Sequence, residues 1–283
     1  MKKQKVFGPD IIGFNINTLN AKYSYELIAE LKRQMPDAKL LAGGIHMKHA
    51  AGEALDYGVD VVVNGEGEPV VQAIVETLLR DKRKTISLPG LLKKIDGISY
   101  RDDNGRYVFP SQESLPYVED LDTIPFIKYE LFNLDDFIRS DAGKALISQI
   151  ITQRGCPFPC NFCSDKFLRT NVRDSSSGYI ISYMKYLIDK YGVKNVTIHD
   201  DNFTLKRSKT LDICEKIIEN GLNKHIRIRC QTNINAALDK EVVNALRRAN
   251  VVDITIGIER ISKFAQEKIN KKYEALRVKR LQE

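Results

Sequence analysis

No cysteine precedes residue 156, and no apolar run approaches the length of a membrane span. The second absence excludes a transmembrane helix, which takes about 20 consecutive apolar residues. Residues 60–64, three valines between Asp60 and Asn64, are typical of the short runs present. The basic start is not followed by an apolar stretch, so no signal peptide is expected and a cytoplasmic protein is. The first absence leaves five cysteines, an odd number, with three of them inside eight residues. That pattern excludes a disulfide framework and reads as metal ligation. Low-complexity segments and short internal repeats are also missing, which sets aside disordered tracts and solenoids. The formal charge of +7 sits at two ends, in three lysines of residues 1–5 and an excess of four over residues 262–283. Aromatics do not interleave those basic residues as a base-stacking platform requires, so no nucleic-acid binding is expected.

What is present is material for globular cores: 283 residues, 43% hydrophobic and 29% charged, enough for one large or two ordinary domains. Strand and helix signals alternate over the first 80 residues. Residues 10–16, 39–44 and 60–64 read as buried strands. Helical spacing follows over 25–35, about 49–57 and from Pro69 to Leu79. Residues 81–145 break that rhythm; residues 97–101 and 106–109 flank a turn in which Gly105 supplies the positive φ of a hairpin. From residue 146 the alternation returns, with strands at 146–152, 195–199, 226–232 and 252–258. A helix follows each, with Ser208 and Asp239 as candidate N-caps. The expected division is an α/β unit over 1–92, a linker with a small hairpin over 93–141, and a partial parallel (β/α) barrel over 142–283.

The cysteine loop follows the first strand of that barrel. Cys156, Cys160 and Cys163 are spaced Cys-x3-Cys-x2-Cys, and Gly155, Pro157 and Pro159 disfavour a regular helix between them. Thiolates are soft ligands, so zinc and an iron–sulfur cluster are the candidates. A zinc knot needs a fourth thiolate, for which Cys214 and Cys230 are available, although both have the spacing of core residues. A cluster on three thiolates instead leaves one iron open to a substrate.

The loop resembles the signature of radical S-adenosylmethionine (SAM) enzymes, including the aromatic Phe162 just before the last cysteine. The resemblance implies a 4Fe-4S cluster on Cys156, Cys160 and Cys163, with SAM on the open iron and Phe162 beside it. Asp200 and Asp201, in the acidic end of the second barrel strand, and Glu259, in a Gly-Ile-Glu ending of the fourth, are similar to positions that seat SAM in that family. Asn233 and Arg260 depart from the family pattern. Residues 10–80 resemble a cobalamin-binding domain, a partial doubly wound, flavodoxin-like unit. Gly43, Gly44, Gly65 and Gly67 lie at its strand ends, where backbone can approach a flat ligand. The Asp-x-His-x-x-Gly loop that supplies a lower cobalt ligand is absent, and His49 is expected at the surface.

The implied protein is a radical SAM enzyme of the cobalamin-dependent subclass, apparently truncated at both ends. It would be served by a reducing flavodoxin or ferredoxin and would act on an unidentified small-molecule or lipid-like substrate, methyl transfer being one outcome. A methylthiotransferase would need a second cysteine cluster in the first domain, and none is there. An electron-transfer or zinc-binding module, or a binding remnant without turnover, are the alternatives.

Overall fold

The structure, a computed structural model, describes residues 8–80, 87–132, 140–163 and 171–271. The basic runs at residues 1–5 and beyond 271 lie outside them. The chain forms two compact units, divided between Glu119 and Asp120.

The first unit opens with β1 (Ile11–Asn15), α1 (Ala21–Gln34), β2 (Lys39–Gly43), α2 (Met47–Asp56) and β3 (Val61–Val63). In α1 the residues Ala21, Tyr25, Ile28 and Leu31, spaced at three and four, are the buried stripe. The helix ends at Met35, before Pro36, whose ring cannot continue it. The three strands are parallel, and the all-valine β3 is buried along its length. A flavodoxin-like sheet runs 2-1-3-4-5; here the parallel strands run in the sequential order β1-β2-β3. Helices α1 and α2 share one core with one face of the sheet. Helices α3 (Val71–Arg80) and α4 (Leu88–Leu92) pack with Val61, Val63 and Tyr100 on the other.

The sequence sets residues 97–109 apart as part of a linker. In the structure they form β4 (Ile98–Arg101) and β5 (Tyr107–Val108), which extend the same sheet. Strand β4 pairs antiparallel with β3, Val62 opposite Ser99 and Val63 opposite Ile98. The reason is edge coverage: a strand buried on both faces leaves costly unpaired backbone groups unless a neighbour takes them. Gly105, at φ +75°, makes the expected turn.

In the second unit, residues 120–132 are not free linker but pack on the first long helix, Phe126 stacking on Tyr183 at 4.7 Å. Helix α5 (Asp141–Ile147) is capped by Ser140, whose side chain accepts from Gly143 N. It runs into the expected first strand and shortens it to β6 (Gln149–Ile150). Next come β7 (Gln153–Arg154), β8 (Arg173–Asp174), α6 (Ser177–Tyr191), β9 (Asn195–Ile198) and α7 (Arg207–Glu219). Helix α7 starts one residue ahead of the cap expected at Ser208 and has no side-chain cap. Then follow β10 (Arg227–Thr232), α8 (Ile234–Ala237), α9 (Lys240–Arg248), β11 (Val251–Ile256) and α10 (Lys263–Lys268). Asp239 caps α9 as expected, accepting from Glu241 N and Val242 N. Strands β6, β9, β10 and β11 form one parallel sheet in the order β11-β10-β9-β6. Their C-terminal ends therefore share one edge, where a parallel barrel keeps its functional residues. Among the described residues, no helix is long and apolar enough to cross a membrane.

Candidate functional site

The cysteine loop is an excursion with laced feet. It leaves from β7 and returns through β8, and these two pair antiparallel, Gln153 opposite Asp174 and Arg154 opposite Arg173. Gly155, at φ +92°, turns the chain out of β7 one residue before Cys156. The Cys163 amide donates to Cys160 O at 3.1 Å, a tight turn between the last two cysteines. Cys160 is buried, while Cys156 and Cys163 are half-buried. The Cys156 thiol is held above the usual cysteine range, first by burial and then by the charges of Asp201, Cys160 and Cys163. Cys160, Cys163 and the carboxylate of Asp201 are thus close enough to act on the Cys156 thiol, and a metal centre would relieve that repulsion. Among the described residues, no group of three or more His, Cys, Asp or Glu is gathered as a single ion requires. A cubane asks for something else, one thiolate at each of three separate irons.

Cys214 and Cys230 are not part of this arrangement. Both lie in the main apolar core of the unit, and burial pushes each thiol up to about 12. Their place in that core makes the two packing residues, as their spacing in the sequence suggests.

The two aspartates that the sequence pairs have separate places. Asp200 is buried and accepts from Thr152 N at 2.6 Å, from Gln153 N at 3.0 Å and from the Thr152 hydroxyl. Its carboxyl is raised to about 6, burial outweighing those three donors. It therefore fixes the chain between β6 and β7, just ahead of the cysteine loop, rather than pointing to a ligand. Asp201 is exposed and close enough to Cys156 to act on its charge. His199 is also exposed, its amide bonded to Ile150 O at 2.8 Å.

Next to Asp201 lies a polar group that sequence reasoning overlooked. Asn202 is buried and its Nδ2 has no partner among the described residues, although its Oδ1 accepts from Asn233 Nδ2 at 3.3 Å. An orphaned buried donor costs about 1–3 kcal/mol unless something accepts from it. Asn233, which departs from the family pattern, caps α8 by accepting from Asn235 N and Ala236 N. Glu259 follows β11, exposed and at φ +61°, a left-handed conformation that strains a residue with a Cβ. Lys271 Nζ holds its carboxylate at 3.2 Å and lies 5.8 Å from the centre of the exposed Phe162 ring.

In the first unit, Gly43 and Gly44 end β2, and Gly65 and Gly67 follow β3 at the same sheet edge. Gly44, at φ +101°, leaves no room for a Cβ, which would stand 2.4 Å from Asn15 Oδ1 and 2.6 Å from Ile16 O. A Cβ on Gly65 would lie 2.5 Å from Pro116 O. These two glycines thus have a reason within their own unit. Gly43 would meet only Val63, at 3.8 Å, and Gly67 nothing within 4 Å. Beside this edge is a cavity of about 550 Å³, whose lining includes Lys48, the exposed His49, Asn64 and Phe109.

Residues 150–281 match the model of the radical SAM superfamily, and residues 1–75 match that of the B12 binding domain. An uncharacterized methyltransferase of Pyrococcus horikoshii is 28% identical over 94% of this chain and 55% of its own length. The anaerobic magnesium-protoporphyrin IX monomethyl ester cyclase of Cereibacter sphaeroides is 26% identical over 95% of this chain and 43% of its own. The chain thus spans about half the length of these relatives. Among solved structures, the cobalamin-dependent SAM radical enzyme OxsB superposes with a TM-score of 0.74 at 18% identity. That match covers 98% of this chain and 39% of the other. The radical SAM methyltransferase TsrM of Kitasatospora setae gives 0.72 at 17% identity, covering 98% and 55%.

A radical SAM domain implies a 4Fe-4S cluster and SAM, and a B12 binding domain implies cobalamin. The residues present fit both. The three thiols beside a carboxylate match a cationic centre, and the unpaired Asn202 donor beside Asp201 matches a ligand that carries acceptors. At Gly43 and Gly67 the backbone carries no side chain of its own, so a flat ligand can approach it there. Residues 1–75 thus match a B12 binding domain and residues 150–281 a radical SAM domain, in that order along one chain.

Proposed function

We propose that this chain is a radical SAM enzyme of the cobalamin-dependent subclass that transfers a methyl group to an unidentified small-molecule or lipid-like substrate. When bound, the cluster supplies the electron that cleaves the SAM sulfonium to a 5′-deoxyadenosyl radical, and cobalamin supplies a methyl carrier. Cys156, Cys160 and Cys163 hold the cluster, and the buried Asp200 keeps the entry to their loop in place through Thr152 and Gln153. Asp201, with its charge felt at Cys156, accepts from the SAM amino group, and Asn202 donates to an acceptor of the same ligand. Phe162 and Glu259 complete the seat. In the first unit Gly43 and Gly67 let the corrin ring approach the backbone, while Gly44 and Gly65 keep that edge in shape. Electrons come from a reduced flavodoxin or ferredoxin.

What supports this reading is the match of residues 150–281 to the radical SAM model together with the Cys-x3-Cys-x2-Cys loop that leaves from β7, just past the C-terminal end of β6. Anaerobic reconstitution with iron and sulfide, followed by reduction in the presence of SAM, tests it. The expected result is a brown protein that forms 5′-deoxyadenosine, with formation abolished in Cys160→Ala. SAM and cobalamin binding are measured apart from turnover, so that a chain that binds without reacting is recognised. A colourless zinc protein, or no deoxyadenosine above background, overturns it.

A further inference from the structure

The last described turn of the second unit touches both sides of the candidate site. On one side it grips the cysteine loop. The Asn161 amide donates to Ile269 O at 2.9 Å, and Asn161 Nδ2 donates to Lys268 O at 3.0 Å. In return, Asn270 Nδ2 donates to Pro159 O at 3.0 Å. Lys271 adds its ammonium 5.8 Å from the Phe162 ring centre. On the other side the same turn grips the segment after β11. Gln266 is buried, and its amide donates to the carbonyls of Arg260 and Ile261 at 3.2 and 3.1 Å. Lys271 reaches Glu259 at 3.2 Å.

We infer that residues 266–271 form a clasp that fixes the cysteine loop against Glu259, with Asn270 and Lys271 as positioning residues for the cluster. The inference rests on the radical SAM reading and adds to it a part of the chain far from the cysteines in sequence. Three features single this turn out. The loop carries Cys160 between Pro159 and Asn161, and both neighbours are bonded to the turn. Asn270, at φ +53°, is the left-handed residue that closes α10, with Lys271 N donating to Gln266 O at 3.0 Å, and from that fixed place its side chain reaches the loop. Lys271 is shared, since a single ammonium meets the Glu259 carboxylate and the Phe162 ring at once. Any shift of the turn therefore moves the loop and the Glu259 segment together.

The test uses three variants of the full chain. Asn270→Gly keeps the left-handed backbone and deletes the amide; Lys271→Ala deletes both of its contacts; Lys271→Arg keeps a cation of similar reach. In the apoprotein, the rate at which iodoacetamide alkylates Cys160 is followed by peptide mass spectrometry, with the core Cys214 as an internal reference. Asn270→Gly is expected to speed Cys160 labelling by about fivefold, as loss of one net hydrogen bond implies, with Cys214 unchanged. An unchanged Cys160 rate overturns the clasp. A parallel rise at Cys214 overturns it too, because the variant then loosens the whole unit. In the reconstituted protein, Lys271→Ala should alter the change that SAM makes in the electron paramagnetic resonance spectrum of the reduced cluster, and Lys271→Arg should restore it. A parent that takes up no iron defeats the radical SAM reading, while the labelling still decides the clasp.

Discussion

The two units present their strand ends in different ways. In the first, the edge after β2 and β3 is backbone, with glycine at residues 43, 44, 65 and 67, and its shape is set by what cannot fit. In the second, the edge is side chains, and its shape is set by what must be bonded. A backbone-built edge fails by steric clash, all at once; a side-chain-built edge fails by losing particular partners. The contrast is sharpest between Gly44 and Asp200. Gly44→Ala would push a methyl to 2.6 Å from the Ile16 carbonyl at a φ of +101°. The expected cost is roughly 2–4 kcal/mol, read as an earlier urea transition of the first unit. A change within 0.5 kcal/mol would show that the close approach of residues 16 and 44 does not hold in solution.

Asp200→Ala should come next in size. It leaves two backbone donors and a hydroxyl without their acceptor, for roughly 2–3 kcal/mol. Its companion, Asp200→Asn, tests the titration. The native carboxyl is raised to about 6 from an ordinary 3.8. Between those two values the native state binds the proton that the unfolded chain has released. The contribution of Asp200 to stability is then greatest below the lower value and is lost as pH rises through the upper. Asp200→Asn should flatten that segment of the stability curve, by up to about 1.4 kcal/mol per pH unit. An equal slope in parent and variant between pH 4 and 6 would mean that the group titrates normally.

Much of this difference was legible in the sequence, and what was missed has a physical cause. The alternation of strands and helices, the hairpin turn at Gly105 and the cap at Asp239 are local, set by neighbours within a few residues. The cysteine loop is local as well. Asp200 and Asp201 were not told apart, yet the period of two along β9 carries the signal. Val196 and Ile198 point into the core, so Asp200 continues their face and Asp201 faces out. The place of the hairpin was misjudged because pairing with β3 is a tertiary matter: nothing within residues 97–109 says which strand needs an edge partner. The contacts of Asn161 with Lys268 and Ile269 were out of reach for the same reason, with more than a hundred residues between the partners.

The smallest expected effects on stability break the comparison most cleanly, since they separate binding from folding in each unit. Gly67→Ala adds a methyl into open space, and Asp201→Asn changes an exposed side chain. Each should leave the unfolding transition within about 0.5 kcal/mol of the parent. The ligands should notice all the same. Gly67→Ala lifts a flat ligand off the backbone, so cobalamin binding followed by its visible absorbance should weaken while SAM binding holds. Asp201→Asn removes the charge beside Cys156, so SAM binding should weaken while cobalamin binding holds. If either substitution weakened both ligands alike, its effect would be a general one and not the loss of one ligand's contact. If Asp201→Asn left SAM untouched, the carboxylate near Cys156 would have no ligand to serve, and the proposed SAM seat would have to rest on Asn202, Phe162 and Glu259.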